Sequence, residues 1–231
     1  MSCILHIETS TTVCSVALSV DGGIVFERIS FEGPSHAALL GVYVEEAIAF
    51  LKEIQCQPEA VAISGGPGSY TGLRIGTSMA KGLCMGWGVP LIAVPTLQLM
   101  TWQAIRRYGS NDCLYCAMLD ARRMEVYSAI FDATLSTVRD TSADIVTQAL
   151  YQPFVDRGTV CFFGNGAAKS RTVITSDNAV FLDDIHPLAS DMVVLAEKSL
   201  QLMKFEDTAY FEPFYLKEFM ATTSKAGKPG K

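Results

Sequence analysis

Two acidic residues, Glu8 and Asp120, are the best candidates in the sequence for metal chemistry. Each stands at the end of an apolar run that predicts a buried strand. Two carboxylates that face each other across a cleft between lobes could hold Mg²⁺, and Arg122 would line the same cleft. Each acid taken alone is at least as well explained as a cap for the turn after its strand. Both interpretations stay open.

A glycine-rich stretch, SGGPGSYTGLRIG, lies between a predicted strand and a predicted helix, where many proteins bind phosphate. The Walker pattern fails because Pro67 stands in place of its first glycine and Leu73 in place of its lysine. The dinucleotide pattern fails because Thr71 stands where its third glycine is required. Anion binding at the helix start is the weaker alternative, and we interpret the glycines mainly as clearance. The loop residues are Gly65, Gly66, Pro67, Gly68, Ser69, Tyr70, Thr71 and Arg74.

The remaining reactive side chains form no recognisable site. The three histidines lack the spacing of a metal-binding helix, and Cys113 and Cys116 form a lone C-x-x-C without a second pair. The seven scattered cysteines are typical of free thiols in a reducing compartment. We therefore predict no catalytic residue, no metal ligand and a cytoplasmic protein without a signal peptide or membrane span. The net charge of −6 argues against a basic surface overall, although a local patch is still allowed.

The elements that must position these residues alternate between strands and helices. The first part of the chain reads β-β-β-α-β-α-β-α, and a second strand–turn–strand pattern follows from Cys116 to Phe131. When Asp120 is placed on Glu8, Ala129 falls on Ala17. We therefore predict an α/β fold made of two similar lobes from an internal duplication, with the second lobe reduced and a helix near Ser142 to Tyr151.

The predicted domain limits follow from this repeat. Residues 1–108 form the first lobe and residues 109–220 the second, whose last helix would pack back on the first lobe. Residues 221–231 are polar and rich in lysine and glycine, which predicts a flexible tail.

Two adjacent helices of the first lobe have more apolar or small surface than one sheet can cover. The helix from His36 to Ile54 has two apolar stripes, and the next helix has small residues four apart on one face. We predict a docking surface for another protein, although tight packing of the second helix on its own sheet would explain the glycines equally well. The residues are His36, Leu39, Leu40, Tyr43, Val44, Ala47, Phe50 and Leu51 in the first helix, and Gly72, Ile75, Gly76, Met79 and Ala80 in the second.

Several of these segments together resemble the TsaB (YeaZ) family. They are ILHIETSTTVCSVAL, SGGPGSYTGLRIGTSMAKGL, PTLQLM, LDARRMEVYSAIF and PFYLKE, which run from Ile4 to about Glu218. The resemblance implies the actin-like ATPase (ASKHA) fold with two ribonuclease-H-like lobes. It also implies a role in forming N6-threonylcarbamoyladenosine at position 37 of tRNAs.

The resemblance further implies a non-catalytic subunit. Active ATPases of this fold have Asp-x-Gly-Thr in the first turn, whereas this sequence has Glu8 to Thr11, and the helix TLQLMTWQAIRR lacks the histidine pair of the catalytic paralogue TsaD. The expected partners are TsaD, the ATPase TsaE and, when the chain is alone, a second copy on the same surface. tRNA would be reached through the complex, with ATP or ADP and a metal on the partner subunits and no cofactor required by this chain.

Two other functions compete with this one. An ATPase or a glycoprotease-like metalloenzyme of the same fold would need the ligands that the sequence lacks. A direct RNA-binding module is disfavoured by the acidic charge and by the lack of a basic stripe interleaved with aromatic residues.

Overall fold

The fold was analysed in a computed structural model that describes residues 2–33 and 36–216. The tail predicted over residues 221–231, the last residues of the predicted second lobe and Ser35, which we expected to cap the first helix, lie outside the described residues.

The first lobe is a five-stranded sheet with its helices in the predicted order. The strands are β1 (Cys3–Glu8), β2 (Cys14–Val20), β3 (Gly23–Ser30), β4 (Ala60–Ser64) and β5 (Leu91–Val94), and the helices are α1 (His36–Glu53), α2 (Tyr70–Trp87) and α3 (Thr96–Tyr108). The sheet order is β3-β2-β1-β4-β5, in which β1, β4 and β5 are parallel and β2 and β3 antiparallel to their neighbours. Every residue of β1 and β4 is buried, as expected for central strands that are covered on both faces.

The second lobe repeats this topology with shorter helices. Its elements are β6 (Leu114–Asp120), β7 (Glu125–Phe131), β8 (Thr137–Ile145), α4 (Gln148–Val155), β9 (Val160–Phe163), α5 (Ala167–Ser170) and β10 (Ala179–Leu182), followed by a 3₁₀ turn (Ala189–Met192) and α6 (Val193–Gln201). The sheet order β10-β9-β6-β7-β8 matches the first sheet strand for strand. The predicted duplication and its reduced second copy are therefore confirmed: α5 has 4 residues, whereas α2 has 18.

Two details of the predicted repeat are wrong. Ser142 lies in the edge strand β8, and the helix begins only at Gln148. Ala129 corresponds to Leu18 rather than to Ala17, because the turn of the second hairpin is one residue shorter: Glu8 pairs with Ser15, whereas Asp120 pairs with Val126.

The helix that follows the last strand of each lobe packs against the sheet of the other lobe. Met192 and Ala196, in the 3₁₀ turn and α6, pack in one apolar cluster with Ile4 and Ile92 of the first sheet. In return, Leu97, Met100 and Ala104 of α3 pack against the second sheet. The two sheets are thus joined through apolar clusters that contain residues from both halves of the chain.

All seven cysteines are buried and free of disulfide bonds. None of the helices among the described residues is both long and apolar enough to span a bilayer.

Candidate partner-binding surface

Helix α1 packs on the first sheet through the stripe that was predicted to bind a partner. His36, Leu40, Val44, Ala47 and Leu51 are all buried, and the four apolar members belong to the core cluster of this lobe. The imidazole Nε2 of His36 also lies 3.1 Å from the carbonyl oxygen of Val13. These five residues are removed from the predicted docking surface, because their spacing puts them on the one face that the sheet already covers.

The second apolar stripe of α1 is the one that reaches the surface. Leu39, Tyr43 and Phe50 are partly buried and pack only at the margin of the core cluster. Val42, on the outer side of the helix, is 47% exposed. Any contact that α1 makes with another protein therefore depends on this stripe.

The small residues Gly72, Gly76 and Ala80 of α2 are buried, and the two glycines lie against the chain's own β1–β2 turn. A Cβ atom at Gly72 would lie 2.1 Å from the carbonyl oxygen of Thr9, and one at Gly76 would lie 2.3 Å from the Thr9 hydroxyl. That hydroxyl donates a hydrogen bond of 2.8 Å to the carbonyl oxygen of Gly72. The turn of their own lobe occupies the space at Gly72 and Gly76, and Ala80 is buried in the core cluster, which favours packing within the lobe as the reason for these three small residues.

The solvent side of α2 contains two further glycines, Gly82 and Gly86. We call these glycines and the groove beside them the outer surface of α2. Both are exposed, and a Cβ atom at either would meet nothing within 4 Å. Met85, next to them, is 79% exposed. An open groove of about 930 Å³ runs along this side, and the residues that line it are Ala37, Tyr70, Thr71, Arg74, Ile75, Ser78, Met79, Gly82 and Leu83.

Two predicted docking residues, Ile75 and Met79, line this groove. Both are partly buried, since their inner atoms touch the core cluster while the rest of each side chain faces the groove. The sequence showed Gly82 and Gly86 as a continuation of the small residues of α2, but the predicted surface omitted them. Their signal was a pair of glycines within the helix, because glycine in a helix interior costs about 1 kcal/mol relative to alanine.

The glycine-rich loop is closed against the β1–β2 turn. A Cβ atom at Gly68 would lie 2.3 Å from the carbonyl oxygen of Ser10, and the amide of Ser69 donates a 2.6 Å hydrogen bond to the same oxygen. Thr9, Ser10 and Thr11 are buried as a result. The turn between β1 and β2 is therefore packed against the glycine-rich loop of the same chain.

The segment around Phe214, near the end of the described residues, contacts the other side of the glycine-rich loop. Gly65 and Gly66 are buried with Pro67, and the amide of Phe214 donates a 2.8 Å hydrogen bond to the carbonyl oxygen of Gly65. Gly66 adopts a φ of +96°, and its missing Cβ leaves room for the carbonyl oxygen of Phe214. The glycine at this position is needed for both reasons.

The polar residues that follow the loop begin α2 and form the rim of the groove. Ser69 caps the helix by accepting a 3.3 Å hydrogen bond from the amide of Gly72. Arg74 donates a 3.0 Å hydrogen bond to the Tyr70 hydroxyl, and the ring of Tyr215 lies 4.9 Å from that of Tyr70. Thr71 and Arg74 are exposed beside the groove, so the loop contributes to the candidate surface through its last residues only.

Glu8, the last residue of β1, is completely buried beside the turn that Gly72 and Gly76 contact. Its Oε1 accepts a 2.5 Å hydrogen bond from the amide of Ser10, while Oε2 has no partner among the described residues. Burial raises the pKa of the Glu8 carboxyl to about 7. Burial lowers the pKa of His6, on the same strand, to about 3, and its Nε2 lies 2.8 Å from the hydroxyl of Ser19.

Asp120 and Arg122 lie at an exposed hairpin, away from any contact with Glu8. The ammonium group of Lys169 binds the carboxylate of Asp120 and the carbonyl oxygens of Arg123 and Glu125. Within residues 2–33 and 36–216, no hydrogen bond or ion pair joins Glu8 to Asp120, and no three histidine, cysteine or acidic side chains form a metal site. The contacts thus do not support a carboxylate pair that shares a cation.

The sequence of the chain is similar to those of known proteins. The family described as TsaD, tRNA N6-adenosine threonylcarbamoyltransferase, matches residues 11–225. The tRNA threonylcarbamoyladenosine biosynthesis protein TsaB of Escherichia coli K12 is 32% identical over 97% of this chain and 99% of its own length. The corresponding protein of Haemophilus influenzae is 32% identical over 54% of this chain and 51% of its own length.

Solved structures agree with the fold. YeaZ from Pseudomonas aeruginosa superposes with a TM-score of 0.76 and 25% identity, over 94% of this chain and all of that one. A protein from the same organism, described as uncharacterised and similar to peptidase YEAZ, has a TM-score of 0.81 at 24% identity over the same shares. The fold is the actin-like one with two ribonuclease-H-like lobes, and identity over almost the whole of both sequences shows that this chain belongs to the TsaB (YeaZ) family.

Proposed function

We propose that the chain is a non-catalytic subunit of the machinery that forms N6-threonylcarbamoyladenosine in tRNA. The observation that carries the proposal is its end-to-end similarity to E. coli TsaB, which is described as a biosynthesis protein for this modified nucleoside. Under this proposal the chain resides in the cytoplasm and activates a catalytic paralogue of the TsaD type by binding to it.

The docking surface of the proposal consists of the outer surface of α2 and the exposed stripe of α1. An apolar groove with exposed glycines lets a partner helix approach closely, because no side chain separates the two backbones at those positions. The glycines at Gly82 and Gly86 have no neighbour within the chain that would account for their conformational cost. A partner backbone would supply one.

Three features of the chain support a non-catalytic role. Glu8 is 0% exposed and therefore out of reach of a substrate. Gly68, Gly72 and Gly76 pack against the first turn, at Thr9 and Ser10. Helix α3 has no histidine, so it lacks the imidazole ligands that the resemblance assigns to TsaD. ATP or ADP and a metal would belong to the partner subunits, and TsaE would join the same assembly.

The same outer surface would pair two copies of the chain when no partner is present. The proposal therefore predicts that homodimer and heterodimer exclude each other. Light scattering of the chain alone, followed by addition of the catalytic paralogue, should show the homodimer replaced by the heterodimer.

Co-purification with the TsaD-type paralogue, followed by a tRNA modification assay with and without this chain, tests the proposal. We expect a stable complex and modification that depends on the chain. Equal modification in its absence would contradict the proposed role. Turnover of ATP or a peptide by the purified chain alone, lost in Glu8→Ala, would favour an ATPase or glycoprotease-like enzyme instead.

A further inference from the structure

At the tip of the β6–β7 hairpin, two consecutive arginines adopt a backbone conformation that is unfavourable for residues with a side chain. Arg122 has a φ of +71° and Arg123 a φ of +49°, both in the left-handed region. Turn positions with positive φ are usually occupied by glycine, asparagine or aspartate, because a bulky side chain there costs free energy. A local conformational cost of this kind is a reason to look for a function of the side chains involved.

The tip is held rigidly from below. The ammonium group of Lys169 donates hydrogen bonds of 2.8 Å to the carbonyl oxygen of Arg123 and 2.5 Å to that of Glu125, and it also binds the Asp120 carboxylate. The amide of Asp120 donates a 2.8 Å hydrogen bond to the side-chain oxygen of Asn165. These contacts fix the backbone of the hairpin and leave both arginine side chains exposed.

The guanidinium groups of the tip have no partner of their own. Across residues 2–33 and 36–216, six of the seven other arginines bond to a carboxylate, a carbonyl or a hydroxyl group. No hydrogen bond or ion pair there involves the guanidinium of Arg122 or Arg123, whose backbones alone are engaged. In a protein of net charge −6, two adjacent free guanidinium groups on a rigid tip form a localised positive site.

We propose that this tip, Arg122 and Arg123, binds the phosphate backbone of an RNA. A guanidinium group presents paired donors that match two phosphate oxygens, so neighbouring arginines can hold one or two phosphates. Arginine contacts to phosphate oxygens position a nucleic acid without reading its bases, so an exposed hairpin tip is sufficient for them. The inference rests on the proposed function, which brings a tRNA to the assembly, and it adds a contact that an acidic chain was not expected to make.

The test uses the complex of this chain with its TsaD-type paralogue and an unmodified tRNA transcript as the probe. Arg122→Gln with Arg123→Gln should weaken binding about tenfold at 50 mM salt and reduce the slope of log K against log salt by about 1.5. The control, Arg157→Gln with Lys204→Gln, removes the same charge from two exposed residues outside the hairpin and should change neither the affinity nor the slope by a comparable amount.

A second pair of variants separates RNA binding from a role in folding. Arg122→Gly with Arg123→Gly should raise the thermal unfolding midpoint, because glycine accepts positive φ, yet it should lose RNA affinity as the glutamine variant does. A lowered midpoint would mean that the arginines serve the fold, and the proposal would be overturned.

Two further outcomes would also overturn it. Equal affinity and salt slope in the hairpin variant and the charge-matched control would show that the tip makes no phosphate contact. Loss of co-purification with the paralogue would assign the tip to a protein surface. Loss of ATP binding at an unchanged RNA affinity would assign it to a nucleotide. Co-purification that survives while RNA binding falls supports the inference independently of whether the complex modifies tRNA.

Discussion

Helix α2 contains a buried pair of glycines and an exposed pair, and the two pairs have different surroundings. On the inner face, Gly72 and Gly76 leave no room for a Cβ atom because the β1–β2 turn lies against them. On the outer face, Gly82 and Gly86 have open space around them. The inner glycines are therefore explained by the fold of the chain itself, whereas no contact within the described residues explains the outer ones.

This difference shows why a glycine stripe alone does not identify an interface. Both faces satisfy the same rule, small residues four apart in a helix, and the rule has two physical causes. The contact distance of the missing Cβ atom distinguishes them. The comparison between the two faces makes predictions that differ in sign as well as in size.

The largest expected effect is on the inner face. Gly72→Ala would push a methyl group to 2.1 Å from the carbonyl oxygen of Thr9, and a backbone atom cannot move aside as a flexible side chain does. We expect a loss of about 3 kcal/mol in the free energy of unfolding, measured by urea denaturation. Stability equal to that of the wild type would mean that the turn and the helix are farther apart than described.

The next effect concerns the buried carboxyl in that turn. The folded chain holds a proton on Glu8 up to pH about 7, whereas the unfolded chain releases it near its ordinary pKa of 4.5. The contribution of Glu8 to stability is therefore present below pH 4.5 and is lost as the pH rises toward 7. The stability of Glu8→Gln relative to the wild type should rise from pH 4.5 upward and reach a gain of about 3 kcal/mol near pH 8.

The control for this pH effect is His6, whose lowered pKa acts in the opposite direction. The stability that neutral His6 contributes is present above pH 6.5 and is lost as the pH falls toward 3, because in this range the unfolded chain binds a proton that the folded chain does not bind. In Glu8→Gln this rise of stability with pH should become visible by itself in urea melts between pH 4.5 and pH 6.5. Identical pH profiles for the wild type and Glu8→Gln would contradict the burial of a protonated carboxyl.

The smallest effect is on the outer face and has the opposite sign to Gly72→Ala. Gly82→Ala should raise the free energy of unfolding by about 0.5–1 kcal/mol, because alanine restricts the unfolded chain and fits a helix with open space around it. The same urea melts measure it. A loss of stability at Gly82 would indicate that this face is already covered within the chain.

Much of the fold could be predicted from the sequence because its strands are strongly patterned. The apolar runs of β1 and β4 and the repeat around Asp120 are enough to predict two α/β lobes. Strand β8 was missed because six of its nine residues, TVRDTSADI, are polar or charged and the strand lies at an edge with most of its surface exposed. Edge strands give only a weak alternation signal, since neither face is fully buried.

The candidate site was harder to predict, and α1 illustrates the reason. Its sequence shows two apolar stripes, one through Leu40 and Val44 and one through Leu39 and Tyr43, without indicating which of them faces the sheet. That choice depends on the orientation of the helix in the tertiary structure. The inner and outer glycines of α2 raise the same problem, because only the position of Thr9 shows which face is full.

The most direct test of the central claim is the affinity of the TsaD-type paralogue for Gly82→Leu, compared with Ala149→Leu. Both substitutions add a large side chain at an exposed helical position, the first in the groove and the second on α4 of the other lobe. The account predicts that Gly82→Leu folds as stably as the wild type and loses at least about tenfold in affinity, roughly 1.4 kcal/mol, while Ala149→Leu binds normally. Wild-type affinity in a folded Gly82→Leu would contradict it.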